Sequence, residues 1–333
     1  MKKILVTGGA GYIGSHTVKE LNKEGFDVLV YDNLSSGHRE AVLKPARLVA
    51  GDLLDIEKLE KVFKKYQPDS VMHFAASIEA GESVERPEEF FRNNVVTTLN
   101  LLKAMVKNKI NYLVFSSSAA VYGEPKEVPI EEHFDLKPIN CYGSTKMIAE
   151  EMFKHFEKAH GLKHVSLRYF NAAGADLDGE LGPDHKKKTH LITRITMAAN
   201  EEIPHLEIYG TDYDTEDGSC IRDYIHVTDL ACAHILALKH LKKTNKSDVF
   251  NLGNEKGNSV LEVIKKAKKV TGKDFKIKYS KKRVGDPAKL VASSKKAKKA
   301  LKWSPKHSDL ETIIKTAWEW QKKLNQKKKY LPH

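Results

Sequence analysis

The sequence predicts an α/β protein: a Rossmann-type, doubly wound parallel sheet with a smaller C-terminal α/β lobe. Short apolar runs alternate with amphipathic stretches through the first half of the chain. The first of these runs ends directly in a glycine-rich turn. At 333 residues, the chain is longer than one compact unit of about 150 residues requires.

Lys3–Thr7, Asp27–Tyr31, Arg47–Ala50, Ser70–Phe74, Tyr112–Ser116 and His164–Arg168 read as strands, being short, largely apolar and bounded by polar residues or glycine. Between them, Tyr12–Glu24, Ile56–Tyr66, Glu88–Lys107 and Tyr142–Lys158 repeat apolar residues at helical spacing. Such alternation requires crossover connections, hence a parallel sheet covered on both faces. After Asn171 the pattern loosens into a polar stretch, Gly174–Lys188, where the domain transition is expected. Residues 1–171 form the sheet domain, a segment around 228–252 containing Val249–Leu252 rejoins it, and residues 172–333 supply mainly the second lobe.

Composition narrows the function classes. With 41% apolar and 30% charged residues, wholesale disorder, collagen and a disulfide scaffold are excluded. No run approaches the ~18 apolar residues of a spanning helix, and Thr7-Gly8-Gly9 ends the apolar start too early for a signal peptide. Cys141, Cys220 and Cys232 are too few and too scattered for a disulfide framework or a zinc site, and His73 and the other histidines lack metal-ligand spacing. No metal is expected, and the expected compartment is a reducing cytoplasm. The net charge of +12 is uneven, with 23 Lys/Arg against 5 Asp/Glu from Val263 to His333. On Glu262–Val270 and Ser293–Leu301 these lysines alternate with Val263, Ile264, Ala267, Val270, Ala297 and Leu301 at helical spacing. That is the pattern of a solvated helix face, without the interleaved aromatics of a single-strand binder. Neither nucleic acid nor membrane is expected as a partner.

Gly9, Gly11 and Gly14 fit G-x-G-x-x-G, and Gly8, Gly11 and Gly14 fit G-x-x-G-x-x-G, around Tyr12 and Ile13. Glycine suits a tight turn whose backbone approaches a pyrophosphate, with the following helix presenting its positive end. The second strand ends in Tyr31-Asp32, eighteen residues after Gly14. A carboxylate there accepts from an adenosine ribose and repels a 2′-phosphate, which favours NAD over NADP.

Tyr142 and Lys146 are four residues apart in Tyr142-Gly143-Ser144-Thr145-Lys146 and so share a helix face. A free phenol, with a pKa of about 10, is a poor base at neutral pH. Nearby positive charge favours the phenolate. Standing alone, the pair would fit an amphipathic helix with a surface lysine. It does not stand alone, because the strand Tyr112–Ser116 delivers Ser116-Ser117-Ser118 at its C-terminal end, where open α/β sheets place ligands.

Taken with Thr7–His16, Tyr31–Leu34, His73–Ala76, Gly81–Ser83, Asn93–Val95, Phe115–Gly123, Leu167–Asn171, Asp212–Val227 and Gly285–Ala288, these residues make the chain resemble the extended short-chain dehydrogenase/reductase family. Within it, the chain is similar to the nucleotide-sugar 4-epimerases that act on UDP-galactose and UDP-glucose. The resemblance implies a tightly held NAD seated on Gly8, Gly11, Tyr12, Ile13 and Gly14, with Asp32 and Asn33 on the adenosine ribose and Asp52 and Leu53 flanking the adenine. Phe74, Ala75, Ala76, Asn94, Ser116 and Tyr169 would complete the cofactor site. Ser118, Tyr142 and Lys146 would be the catalytic set, with Lys146 also bonding the nicotinamide ribose. The UDP-sugar would meet Asn171, His190, Leu191, Tyr209, Arg222, Arg283 and Asp286 besides Ser118 and Tyr142, the arginines on the diphosphate, Asp286 on the uridine ribose and Tyr209 over the uracil. The implied reaction interconverts UDP-galactose and UDP-glucose by reversible oxidation at C4 through a 4-keto sugar. The implied assembly is a homodimer through Glu88–Lys107 and Tyr142–Lys158.

Two positions depart from relatives. Ile78 stands where some members carry a lysine near the cofactor, and Leu290 matches the position that limits room for a 2-acetamido group. The sequence leaves tolerance of N-acetylated sugars open, along with UDP-glucuronate and UDP-arabinose as alternative substrates. Nucleotide-sugar dehydratases carry acidic residues beside the active-site hydroxyl, whereas Ala119 and Ala120 follow Ser118 here. A non-catalytic NAD-binding regulator is the remaining alternative, and retention of Ser118, Tyr142 and Lys146 together argues against it.

Overall fold

The computed structural model describes residues 2–184, 187–283 and 286–330. The expected segments Gly174–Lys188 and Gly285–Ala288 therefore each contain residues outside the described ones. In chain order the first half comprises β1 (Lys3–Thr7), α1 (Tyr12–Lys23), β2 (Asp27–Asp32), β3 (Arg47–Ala50), α2 (Ile56–Tyr66), β4 (Ser70–His73), the short helices α3 (Ala80–Glu85) and α4 (Pro87–Phe90), α5 (Thr97–Lys107), β5 (Tyr112–Ser116), α6 (Cys141–His160) and β6 (Lys163–Tyr169). Then follow β7 (Asn171–Ala173), α7 (Leu191–Ala199), β8 (Leu206–Tyr209), β9 (Ile221–His226), α8 (Val227–Thr244), β10 (Asp248–Leu252), β11 (Gly257–Ser259), α9 (Val260–Thr271), β12 (Ile277–Ser280), β13 (Lys289–Leu290), α10 (Lys295–Leu301) and α11 (Leu310–Tyr330).

Seven parallel strands form the main sheet in the order β3-β2-β1-β4-β5-β6-β10. Alternation within β1 shows why both faces are covered: Ile4 and Val6 pack with Val18 and Leu21 of α1 and Leu230 and Leu241 of α8. Leu5 points the other way, into the cluster of Leu59, Phe63, Leu101, Met105 and Phe153 from α2, α5 and α6. The sheet order reverses between β1 and β4, which opens a crevice at their C-terminal ends.

The helix expected over Glu88–Lys107 is not one regular helix. It begins at Pro87 and passes through a π-helical turn, Phe91–Val96, before α5. The extra residue in that turn shifts the helical phase, and Asn94 is thereby buried while Phe91 and Val96 remain exposed. Helix α6 starts where Asn140 accepts from Gly143 N and stops at Gly161, in the left-handed region. His73 is a core residue, its ring nitrogens hydrogen-bonded with the hydroxyls of Thr7 and Thr98.

The smaller lobe packs Ile192 and Ile195 of α7, Val263 and Ile264 of α9 and Ile313 and Ile314 of α11 into one cluster. Helix α10, although late in the chain, packs Ala297 and Leu301 into the main core with Leu230 of α8 and Phe250 of β10, and its outward lysines pair with carboxylates, Lys296 with Asp248 and Lys298 with Glu255. Asp223 on β9 fastens the lobe to the sheet edge. Its fully buried carboxylate accepts from the backbone N–H groups of Asn254, Glu255 and Ala292 at 2.7, 3.1 and 3.1 Å. Asp223→Asn turns an NH₂ group toward some of these donors and should destabilise the fold by about 1–3 kcal/mol, read as a lowered melting temperature.

Candidate active site

The glycine turn after β1 is shaped by close approach. At Gly8, with φ +72°, an added Cβ would lie 2.4 Å from Ala75 N, and at Gly14 it would lie 2.2 Å from Gly8 O. The backbone thus runs against the β4 turn and against itself, leaving the first turn of α1 facing a cavity of about 720 Å³. Gly8, Gly11, Tyr12, Ile13 and Gly14 line its floor, and Asp32, Asn33, Asp52 and Leu53 one end. Phe74, Ala75, Ala76, Ser116 and Tyr169 line the other, with Ser118, Tyr142 and Lys146. The buried Asp32 carboxylate accepts from Ala10 N at 3.0 Å and Leu34 N at 2.8 Å, and so braces the turn it faces. Asn33 donates to Asp52 at 2.9 Å across the same end. A cradle closed to any side chain, at a helix N-terminus with a carboxylate 18 residues on, fits a dinucleotide.

Asn94 does not line the cavity. Its amide NH₂ donates to Ser77 O and Thr145 Oγ1, both at 3.0 Å, and its oxygen accepts from Ser77 N at 2.8 Å. It thereby ties the segment after β4 to the residue preceding Lys146.

Gly143 lets α6 reach the turn after β5, since a Cβ there would lie 2.4 Å from Ala120 O. Ser83 Oγ accepts from Tyr142 N at 3.0 Å and anchors the first turn. The Tyr142 phenol then lies beside the Ser118 hydroxyl. Burial pushes the phenol above its ordinary range, the Ser118 bond opposes this and the Glu79 charge reinforces it. Lys146 is 3% exposed and donates to Ser116 O at 2.8 Å. Burial pushes the ammonium down to about 7, against the pull of Glu150. Glu150 is itself committed to Arg168 and to the Ser117 hydroxyl.

A second cavity, of about 920 Å³, adjoins the first. Ser118, Tyr169, Asn171, His190, Leu191, Tyr209, Arg222, Arg283 and Asp286 line it, so the structure brings the nucleotide-sugar candidates together around one space. Arg222 pairs with Asp286, and the Arg283 guanidinium stacks 3.8 Å from the Tyr209 ring centroid. Tyr142 and Lys146 belong to the first cavity, while Ser118, Tyr169, Asn171 and His190 belong to both.

The sequence reading missed several lining residues. Ser77, Glu79, Glu82, Lys187 and Arg194 face one or both cavities. Ser77, Glu79 and Lys187 come from connecting segments with no periodicity, Glu82 from the short helix α3, hinted at by Gly81–Ser83, and Arg194 from the first turn of α7.

A parallel sheet with a glycine cradle at its switch point, and a buried Tyr–Lys pair beside a serine, defines a dinucleotide-dependent enzyme of the short-chain dehydrogenase/reductase type. The chain belongs to the NAD-dependent epimerase/dehydratase family, whose model matches residues 4–253. A Lactobacillus helveticus protein described as UDP-glucose 4-epimerase is 52% identical over 320 residues, 96% of this chain and 97% of that protein. A crystal structure of UDP-glucose 4-epimerase from Brucella ovis in complex with NAD superposes with TM-score 0.93 at 48% identity, covering 96% of this chain and 98% of that one. The Bifidobacterium longum UDP-glucose 4-epimerase, in complex with NAD⁺ and UDP, gives TM-score 0.92 at 38% identity, covering 97% and 98%.

Gly143→Ala should separate Tyr142 from Ser118 without unfolding the chain. The expected outcome is a kcat lowered about tenfold or more, for a displacement of this kind, with a nearly unchanged far-ultraviolet circular dichroism spectrum.

Proposed function

We propose that this chain interconverts UDP-galactose and UDP-glucose by reversible oxidation at sugar C4, with NAD as a tightly held cofactor. The observation that carries the reading is the position of Tyr142, Ser118 and Lys146 where the dinucleotide cavity meets the second, arginine-lined cavity. When bound, NAD supplies the hydride acceptor and donor for C4.

Tyr142 takes the proton from the 4-hydroxyl and later returns it. A phenolate is disfavoured at this buried position, so the neighbouring positive charge of Lys146 and the Ser118 hydrogen bond supply what stabilises it. Ser118 also orients the sugar oxygen toward Tyr142. Lys146 is held by Ser116 O, which directs the ammonium into the cavity where a ribose hydroxyl would sit. Asp32 is placed to accept from the adenosine ribose, and its charge disfavours a 2′-phosphate.

On the substrate side, Arg222 and Arg283 meet the diphosphate, Asp286 the uridine ribose and Tyr209 the base. Concentrating binding on the nucleotide leaves the hexose free to turn over between oxidation and reduction. Both arginines already have partners in Asp286 and Tyr209, so a nucleotide must exchange with those contacts. Purified protein without added NAD should convert UDP-galactose to UDP-glucose, and Tyr142→Phe should lower kcat by about 10²–10⁴-fold, the range for a lost general base, while bound NAD is retained. Normal turnover in that variant would refute the assignment.

The reading extends to assembly and location. Phe91 and Val96 stay 40% and 43% exposed on the π-helical turn, an apolar surface beside α6 that suits a second copy of this chain. Phe91→Glu should shift a dimer toward monomer by light scattering. Among the described residues no helix is long and apolar enough to cross a membrane. The three cysteines are free, which suits a reducing cytoplasm.

A further inference from the structure

One ionisable group at the reacting end has no part in the chemistry above. Glu79 follows β4 and lines both cavities, at the seam where the hexose must sit if the UDP-sugar reading holds. The other carboxylate there is balanced: Glu82 pairs with Lys187 at 2.6 Å and with Arg86 at 3.3 Å. Glu79 accepts a hydrogen bond from Thr189 Oγ1 at 2.8 Å, and among the described residues it pairs with no lysine or arginine. His190 and the Tyr142 phenol both feel its charge.

We propose that Glu79 determines specificity at the sugar subsite: its carboxylate, set on the seam of the two cavities, selects uncharged pyranoses and rejects UDP-hexuronates. The inference rests on the UDP-sugar reading and adds the class of sugar to it. Hydroxyls of a neutral hexose donate to a carboxylate, whereas a hexuronate brings a second negative charge into the same enclosed space. The diphosphate is common to both ligands and is met by Arg222 and Arg283, so it does not distinguish them. At an effective dielectric of about 20, a like charge within about 8 Å weakens binding by about tenfold or more.

The same charge bears on the base. Tyr142 is faced by Lys146 from its own helix, by Ser118 from the turn after β5, by Tyr169 from β6 and by Glu79 from the segment after β4. Glu79 in turn faces His190, with Lys187, Glu82 and Arg86 around it. Of the groups facing Tyr142, Glu79 carries the negative charge that opposes the phenolate, so its removal should favour the base form.

The test compares native holoenzyme with Glu79→Gln, which keeps an acceptor for Thr189 and loses the charge. UDP-glucuronate is titrated as a competitive inhibitor of UDP-galactose turnover. The ratio of its inhibition constant to the UDP-galactose KM should fall about tenfold in the variant, and the acidic limb of the kcat profile should move to lower pH. Glu79→Asp, which keeps the charge, should hold the native ratio. An unchanged ratio and an unmoved limb in Glu79→Gln would overturn the proposal, as would an equal fall in Glu79→Asp, which would assign the effect to shape. Absence of UDP-galactose turnover in the native protein would instead overturn the functional reading. Calorimetric binding of UDP-glucuronate to both proteins would then still decide whether Glu79 repels it.

Discussion

A buried ammonium with no carboxylate of its own governs the cleft. Lys146 holds one carbonyl, Ser116 O, while the nearest acid, Glu150, is occupied by Arg168 and Ser117. Positive charge left uncompensated in a water-poor space attracts whatever negative charge develops beside it, and the group in reach is a phenol. The packing around the cleft serves that juxtaposition. Gly143 allows α6 to touch the turn after β5, Ser83 pins the helix start, and Asn94 links the segment after β4 to Thr145.

Much of this was legible in the residues. The six strands of the first half read correctly to within a residue or two, because parallel strands buried on both faces must be short and apolar throughout. The glycine turn and the Tyr142–Lys146 spacing were legible because each obeys a local geometric rule. The π-helical turn was not. A period of 3.6 residues runs through Glu88–Lys107 without a break in polarity, and only tertiary demand on Asn94 selects the wider turn. Asn94, expected at the cofactor, has its amide engaged with Ser77 and Thr145. Glu79 and Lys187 escaped notice because they sit in aperiodic connections, where a charged residue is usually only solvated.

The nucleotide end and the reacting end obey opposite electrostatic logic. At the nucleotide end two charges are engaged in the unliganded fold, Arg222 with Asp286 and Arg283 with the π face of Tyr209. At the reacting end Lys146 and Glu79 are left unmatched by any ion pair among the described residues. Matched groups keep a large cavity intact before a ligand arrives, and unmatched ones lower the cost of forming charge where chemistry occurs.

Helix α1 is fastened from behind as well as packed on the sheet. Tyr12 OH donates to Gly174 O at 2.6 Å, and Lys19 reaches Asp176, Asp178 and Glu180 at 2.7, 2.9 and 2.6 Å. The loop leaving β7 is thus a strut for the very helix whose N-terminus faces the phosphate cradle. A fragment ending at β6 would keep every glycine of the turn yet lose the scaffolding that holds it square, so the dinucleotide seat is not an autonomous module that could be excised and transplanted.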